Sequence, residues 1–248
     1  MSDVFTLGAR CLRLSRRQVD ALITAVLMPV FLMVVFVLLF GGAIHTGSSR
    51  YVTYVVPGVL LLCTAFGGGL TAVSVYQDTG GGIVDRFRAM NVHGAALLGG
   101  HVIASILRNA VSTTIVIIVA LALGFRPHAD LIHWLAAAAV LLAFIATISW
   151  LAAAIGLLTR SPEAANGSTF LFTLLPYASS AFVPVHTMPH WLQSFARHQP
   201  FTPLTETLRG LLLGTPVGPN AWVGLAWCGG ILLTSMIAAS LLFTRRAT

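Results

Sequence analysis

The chain has 248 residues, of which 57% are hydrophobic and only 8% are charged, and its formal net charge is +7. In soluble domains roughly a quarter of all residues are charged, so this composition excludes a soluble fold of this size. Several apolar runs exceed the roughly 18 residues that indicate a membrane helix, and they are too continuously apolar for the alternating strands of a membrane barrel. The predicted fold class is an all-α polytopic membrane protein.

The first 20 residues form the first predicted element, an N-terminal cytoplasmic interfacial helix. Arginines alternate there with apolar side chains, a mixture typical of a helix that lies in the membrane interface with its cations toward lipid phosphates. The simpler interpretation is a basic flank that only sets topology, and the sharper one adds contact with a cytoplasmic partner. The arginines of this element are Arg10, Arg13, Arg16 and Arg17.

Residues 21–248 are predicted to form one transmembrane domain of six helices. The predicted spans are 21–41, 55–76, 101–124, 133–158, 168–185 and 221–243. The fifth contains Pro176 and Pro184, for which we expect a kink rather than a break. All 14 basic residues are arginines, and ten of them lie on one side of this arrangement. The positive-inside rule therefore predicts that both termini are cytoplasmic, and the net charge calls for lipid contact rather than a nucleic-acid partner.

The polar segment 77–90, QDTGGGIVDRFRAM, separates the second and third spans. Its three glycines end the preceding helix, and apolar residues then recur at spacings of three and four, which predicts a short amphipathic helix suited to docking a cytoplasmic protein. The predicted coupling residues are Ile83, Val84, Asp85, Arg86, Phe87, Arg88 and Met90. The chain has no lysine, so it carries no Walker A sequence. We predict no cofactor bound by this chain; if ATP drives it, another chain binds the nucleotide.

Residues 186–214 are predicted to hold two short outer helices that re-enter the membrane. One starts near Pro189; the other has Thr202 as N-cap, Pro203 at its first position and Gly214 as terminator. Their candidate site residues are Pro189, Trp191, Pro203, Glu206 and Arg209. A zinc site at His186, His190 and His198 is the weaker alternative to interfacial hydrogen bonding, because no suitably placed carboxylate accompanies these histidines. Cys11, Cys63 and Cys228 are interpreted as packing residues.

The span interiors contain few ionisable groups. Arg108 is predicted two turns into the third span, near enough to the surface for its side chain to snorkel. No carboxylate occurs in the middle of a span, which disfavours an ion-coupled pump. The small polar residues within spans, among them Ser112, Thr113, Thr114 and Ser149, are interpreted as helix-packing contacts, with a path-lining role as the alternative.

Three segments together resemble the permeases of type-2 ABC exporters, and in particular the daunorubicin-resistance group of drug-export permeases. They are GGIVDRFRAM, RSPEAANG at residues 160–167, and the stretch 179–214. The resemblance implies a non-enzymatic subunit that dimerises with a second copy or a related chain and pairs with two ATPase subunits, which bind ATP and Mg²⁺. Residues 83–90 would then form the coupling helix, and the two outer helices would cap the exit. The family's Leu-Pro pair and basic residue are missing after Met90, which leaves the register of the coupling helix open.

Three functions from different classes follow. The favoured one is the membrane subunit of an ATP-driven exporter in the bacterial plasma membrane, moving a hydrophobic or amphipathic drug, antibiotic or lipid. The second is a self-sufficient channel or secondary transporter. The third is a membrane-embedded enzyme with Ser179 or Ser180 as nucleophile, although no Gly-x-Ser-x-Gly surrounds them.

Overall fold

The computed structural model describes residues 19–42, 50–80 and 94–246 of the chain. The predicted all-α class is confirmed for these residues, which contain helices, turns and short links but no strand. The α-helices are α1 (Val19–Val35), α2 (Tyr51–Gly80), α3 (Gly94–Ala122), α4 (Leu131–Leu158), α5 (Pro162–Leu174), α6 (His190–His198), α7 (Phe201–Leu213) and α8 (Asn220–Arg246). A π-helical turn, Phe36–Phe40, extends α1, and 3₁₀ turns at Leu175–Ala178 and Val185–Thr187 follow α5 and precede α6.

Four helices in the described part of the chain are long and apolar enough to cross a membrane. They cover Tyr51–Thr79, Leu98–Ala122, Leu131–Leu158 and Asn220–Phe243 and correspond to the second, third, fourth and sixth predicted spans. The first predicted span corresponds to a shorter apolar helix, Val26–Phe40. The count of six spans therefore stays a prediction, while a multi-span membrane architecture is established.

The fifth predicted span, residues 168–185, is wrong in its limits and in its predicted kink. The helix α5 begins at Pro162, where Ser161 caps it by accepting a hydrogen bond from the Ala164 amide at 3.1 Å, and it ends at Leu174. Pro176 has no N–H to continue the helical ladder, so the chain tightens into one 3₁₀ turn and then leaves helical geometry. Gln199 donates to the carbonyls of Leu175 (3.2 Å) and Ala178 (2.7 Å) and so satisfies the helix end.

The helix α2 is the centre of the bundle. It packs against α1, α3, α4 and α5, and α8 lies on the other side of α4. Its side chains Leu60, Leu61 and Leu62 are fully or almost fully buried. Gly58 allows the backbone after α5 to approach, because a Cβ at this position would lie 2.4 Å from the Cβ of Ala181. By contrast α8 is largely exposed, as expected for a membrane helix at the periphery of the bundle.

The two ends of the bundle are distinguished by their arginines. Arg50, Arg126 and Arg209 lie at the end where α2 begins and α3 meets α4, which we call the Arg209 end; the opposite end carries the α4–α5 link at Arg160. This agrees with the predicted grouping of these arginines on one side. Which end faces the cytoplasm stays a prediction from the positive-inside rule.

Candidate functional site

The predicted interfacial helix and coupling helix lie outside the described residues. Arg10 to Arg17 and Ile83 to Met90 therefore keep their predicted roles without a structural account. The described chain ends α2 at Gly80 and resumes with α3 at Gly94, so the segment that contains the coupling residues is bracketed by two membrane helices.

At the Arg160 end of the bundle, α2, the helix that precedes the predicted coupling segment, contacts the segment RSPEAANG. The Tyr76 hydroxyl, near the end of α2, donates to the Arg160 carbonyl at 2.8 Å. RSPEAANG itself forms the link and the first turns of α5. The pKa of Glu163 there is lowered by its own backbone amide and by the Ser161 hydroxyl, so a carboxylate stands at the helix N-terminus. These contacts join the end of α2, which precedes the predicted coupling segment, to the α4–α5 link.

Arg209 on α7 organises the opposite end. Its guanidinium donates to the Tyr54 carbonyl through Nε (3.3 Å) and Nη2 (3.0 Å), and to the Ser180 carbonyl through Nη2 (2.9 Å). Nη1 donates to the Glu206 carboxylate at 2.7 Å, and the guanidinium carbon lies 3.8 Å from the centre of the Tyr54 ring. One side chain thus joins α7, the first turn of α2 and the backbone that follows α5.

The two short helices are present; the predicted start near Pro189 and the end at Gly214 are correct, but Pro203, predicted at the first position of α7, is its third residue. Pro189 is the N-cap of α6, and Gly214 ends α7 in the left-handed conformation at φ 67°. Thr202 is not the N-cap of α7, because the helix begins at Phe201; its hydroxyl instead accepts from the Ser180 amide at 3.2 Å. Pro203 is buried within the first turn, and Trp191 is 77% exposed. That these helices re-enter the membrane stays a prediction.

A buried polar cluster, which sequence reasoning missed, joins α2, α3 and α4. Arg108 donates to the Thr71 hydroxyl at 2.7 Å, Thr71 to that of Ser105 at 2.8 Å, and Ser149 to the same Ser105 hydroxyl at 2.8 Å. Asn109 also donates to the Ser105 carbonyl at 3.0 Å. All five side chains are buried. Polar groups bonded across helices in this way hold membrane helices together.

Arg108 does not snorkel, contrary to the prediction. The helix α3 begins at Gly94 rather than at residue 101, so Arg108 stands about 21 Å along it at 1.5 Å per residue. Its side chain is 8% exposed and directed to Thr71. Two turns nearer the Arg160 end, His101 Nε2 lies 3.1 Å from a carboxylate oxygen of Asp78. The pairs 71–108 and 78–101 share one antiparallel register of α2 and α3.

Among the other candidates from the sequence, Ser179 and His198 make local hydrogen bonds, whereas the buried Ser180 hydroxyl has no hydrogen-bond partner among the described residues. Ser179 donates to the Pro176 carbonyl at 2.6 Å and accepts from the Ala181 amide at 3.1 Å, so its oxygen helps to turn the chain after α5. His198 Nδ1 lies 2.7 Å from the Ser194 carbonyl. Among the described residues no group of three or more histidines, cysteines or carboxylates could hold a metal ion. Cys63 and Cys228 are buried, and Cys11 lies outside the described residues.

The described part of the chain holds at least two apolar cavities between its helices. One, of about 260 Å³, is bounded by α4, α5, α7 and α8 and contains Phe144, Phe201 and Cys228 in its wall. The other, of about 250 Å³, is bounded by α2, α3, α4 and α7. A cavity of roughly 150 Å³ with apolar walls accepts benzene, so each could receive an apolar group.

Comparison with known proteins gives consistent matches. The chain matches the family described as ABC-2 type transporter over residues 2–213, a range that includes α1 to α7. It is 32% identical over 220 residues to the daunorubicin resistance ABC transporter permease protein DrrB1 of Streptomyces coeruleorubidus, covering 88% of this chain and 76% of that protein. It is 25% identical over 233 residues to the probable doxorubicin resistance ABC transporter permease protein DrrC of two Mycobacterium tuberculosis strains, covering 94% of this chain and 84% of theirs.

Proposed function

Because the chain belongs to the ABC-2 type transporter family and is the transmembrane subunit of an ABC exporter, we propose that it carries a hydrophobic or amphipathic compound out of the cell. The family match over residues 2–213 is the observation that carries this proposal. The chain is a multi-pass cell-membrane protein whose family works with an ATPase partner. The proposal adds two permease copies, two ATPase copies that bind ATP and Mg²⁺, and cytoplasmic termini.

The cargo class rests on the relatives and on the character of the helices. The relatives are named for resistance to daunorubicin and doxorubicin. Only 8% of this chain is charged, and a path between such helices suits a cargo that gains free energy by burying apolar surface. We therefore assign a drug, an antibiotic or a lipid as cargo.

The helix α2 is the proposed mechanical link between ATP hydrolysis and the exit. Its last residue, Gly80, leads directly into the predicted coupling segment. Near that end Tyr76 binds the α4–α5 link, and near the other end the Tyr54 carbonyl is held by Arg209 of α7. Closure of the ATPase pair would bias the permease toward one of two arrangements by binding it more tightly. In this proposal α2 carries the change from the coupling segment to α7.

The test is a mild-detergent pull-down of the tagged chain from its native membranes, with mass spectrometry of the co-purified soluble proteins. We expect a stoichiometric ATPase that is lost in the double variant Asp85→Arg/Arg88→Glu. The matched control, Arg197→Glu, reverses an exposed charge on α6 and should retain the ATPase. Recovery of the chain alone from membranes known to contain such ATPases would contradict the proposal.

A second assay separates partner binding from transport. Vesicles that contain the permease and the recovered ATPase should accumulate a hydrophobic fluorescent dye only when ATP and Mg²⁺ are present on the ATPase side. Dye transport by the permease alone would identify a self-sufficient transporter instead.

A further inference from the structure

The cavity bounded by α2, α3, α4 and α7 has an apolar lining and an opening to the outside of the bundle. Leu60, Leu208 and Leu212 form part of its inner wall. The hydroxyls of Thr113 and Thr114, which also line it, donate to backbone carbonyls of their own helix at 2.8 Å. Neither hydroxyl therefore needs a polar partner inside the cavity.

Small side chains create the opening between α3 and α4. The run of four alanines at residues 136–139 supplies Ala137 and Ala138 to the lining, and α3 supplies Ala110. Ala138 and Leu142 line the cavity and are also exposed, so it opens on the outer face of the described bundle. Protein interiors leave few voids larger than a water molecule, and this volume of about 250 Å³ exceeds the roughly 150 Å³ that receives benzene.

Positive charge lies at one end of this cavity. The α3–α4 link closes that end, because the His128 amide donates to the carbonyl of Leu212, whose side chain lines the cavity, at 3.1 Å. The link carries Arg126, which is exposed and has no ion-pair partner among the described residues. Arg50 brings a second guanidinium to the link, 3.5 Å from the position of a Cβ on Gly124. Asp130 is the acidic residue of the link, and its carboxylate accepts a hydrogen bond from the His133 amide rather than pairing with Arg126 or Arg50.

We propose that this cavity binds an anionic membrane phospholipid from the leaflet at the Arg209 end. One acyl chain occupies the apolar space between α3 and α4, and the phosphate lies beside Arg126 and Arg50. The cavity is long enough to receive much of an acyl chain, because it runs along α4 from Trp134 to Ile145, about 16 Å at 1.5 Å per residue. Charge complementarity selects the headgroup, and apolar burial holds the chain. The lipid proposal rests on the lining and charge of this cavity and does not depend on the proposed cargo.

Trp134 lines the cavity and can report its occupant by fluorescence. The probe is phosphatidylglycerol with brominated acyl chains, present as a minor component of phosphatidylcholine vesicles that contain the full chain with its other four tryptophans changed to phenylalanine. We expect quenching of Trp134 well above the bulk fraction of brominated lipid. Brominated phosphatidylcholine at the same fraction should quench only in proportion to its abundance.

Two variants test the two halves of the site. Arg126→Gln, in an exposed link, should weaken the preference for phosphatidylglycerol about fivefold, the effect of one cation near a membrane surface. Ala138→Phe should fill the cavity and abolish the excess quenching. Its matched control is Ala139→Phe, which adds the same ring at the next, exposed position that does not line the cavity. Size-exclusion profiles identify any variant that fails to fold.

Three outcomes would overturn the proposal. Quenching in proportion to bulk lipid would show that no lipid site exists. Equal quenching by both headgroups, unchanged by Arg126→Gln, would remove the anionic selection. Quenching by rhodamine 6G, a hydrophobic cation, without any lipid preference would assign the cavity to cargo.

Discussion

Replacing Arg209 by leucine should destabilise the Arg209 end of the bundle strongly. The substitution removes the guanidinium hydrogen bonds to the Tyr54 and Ser180 carbonyls. Hydrogen bonds that involve a charged group contribute about 1.5–3 kcal/mol each, and buried acceptors left unpaired add a cost of their own. The ion pair with Glu206 adds little, because that carboxylate is 35% exposed and solvent screens it. Allowing for the apolar packing that leucine supplies, we expect a net loss of about 2–4 kcal/mol.

The assay is thermal unfolding of the detergent-purified chain. For a chain of this size, about 2–4 °C of melting temperature corresponds to each kcal/mol, so the melting temperature should fall by about 5–15 °C. The melting temperature of Arg209→Lys should lie between those of the unchanged chain and Arg209→Leu, since one ammonium group cannot reproduce the planar fork of donors of a guanidinium. Arg197→Leu is the matched control: its guanidinium is exposed, with one 3.4 Å contact to Gln193. If Arg209→Leu melts within about 2 °C of this control, the assigned role of Arg209 is refuted.

Three further predictions use the same melting assay. Gly58→Ala should cost about 1–3 kcal/mol because its Cβ overlaps backbone, whereas Gly229→Ala, with open space around it, should be neutral or slightly stabilising; equal effects would contradict this. Thr71→Val should cost about 1–3 kcal/mol by removing two buried hydrogen bonds between α2 and α3, while Thr114→Val, whose hydroxyl bonds only its own helix, should cost less. The amide and side chain of His133 lower the pKa of Asp130, so this group stabilises the fold above its ordinary carboxyl pKa and the contribution is lost as the pH falls through the lowered value. Asp130→Asn should flatten that acid-side dependence, and an unchanged profile would refute the assignment.

The sequence predicts the long helices well because a membrane-spanning helix needs about 20 mostly apolar residues in a row, and such runs are visible in the sequence. The predicted ranges 133–158 and 221–243 match α4 and the membrane-crossing part of α8 to within two residues. Limits set by hydrogen bonding were harder to predict. The helix α2 continues through Gln77 and Asp78 because backbone bonding does not stop where apolar side chains do. The helix α5 ends at Leu174, and Gln199, a residue 21 to 24 positions away, binds the Leu175 and Ala178 carbonyls in the turn that follows.

The interior polar contacts could not be predicted from composition alone. Arg108 and Thr71 stand 37 positions apart, and their meeting depends on the register of two antiparallel helices. Hydropathy places a helix across the membrane but does not fix its rotation or its depth to one turn. The predicted span starts at residue 101 and the apolar helix at Leu98, so the depth of Arg108 changes by less than one turn. What the prediction lacked is the partner: the Arg108 side chain is bonded to Thr71 inside the bundle.

The positions of these contacts along α2 bear on how a movement could pass through the bundle. The helix is held near its beginning by Arg209 of α7, in its interior by Arg108 of α3, and near its end by the carbonyl of Arg160. These contacts belong to three different elements, so a shift of α2 must either carry the elements with it or break directional hydrogen bonds. The buried leucines of α2, by contrast, make non-directional contacts that can slide. In the proposed transport cycle these polar contacts would set which parts move together, and the Arg209 contact would couple displacement of α2 to α7 by directional bonds.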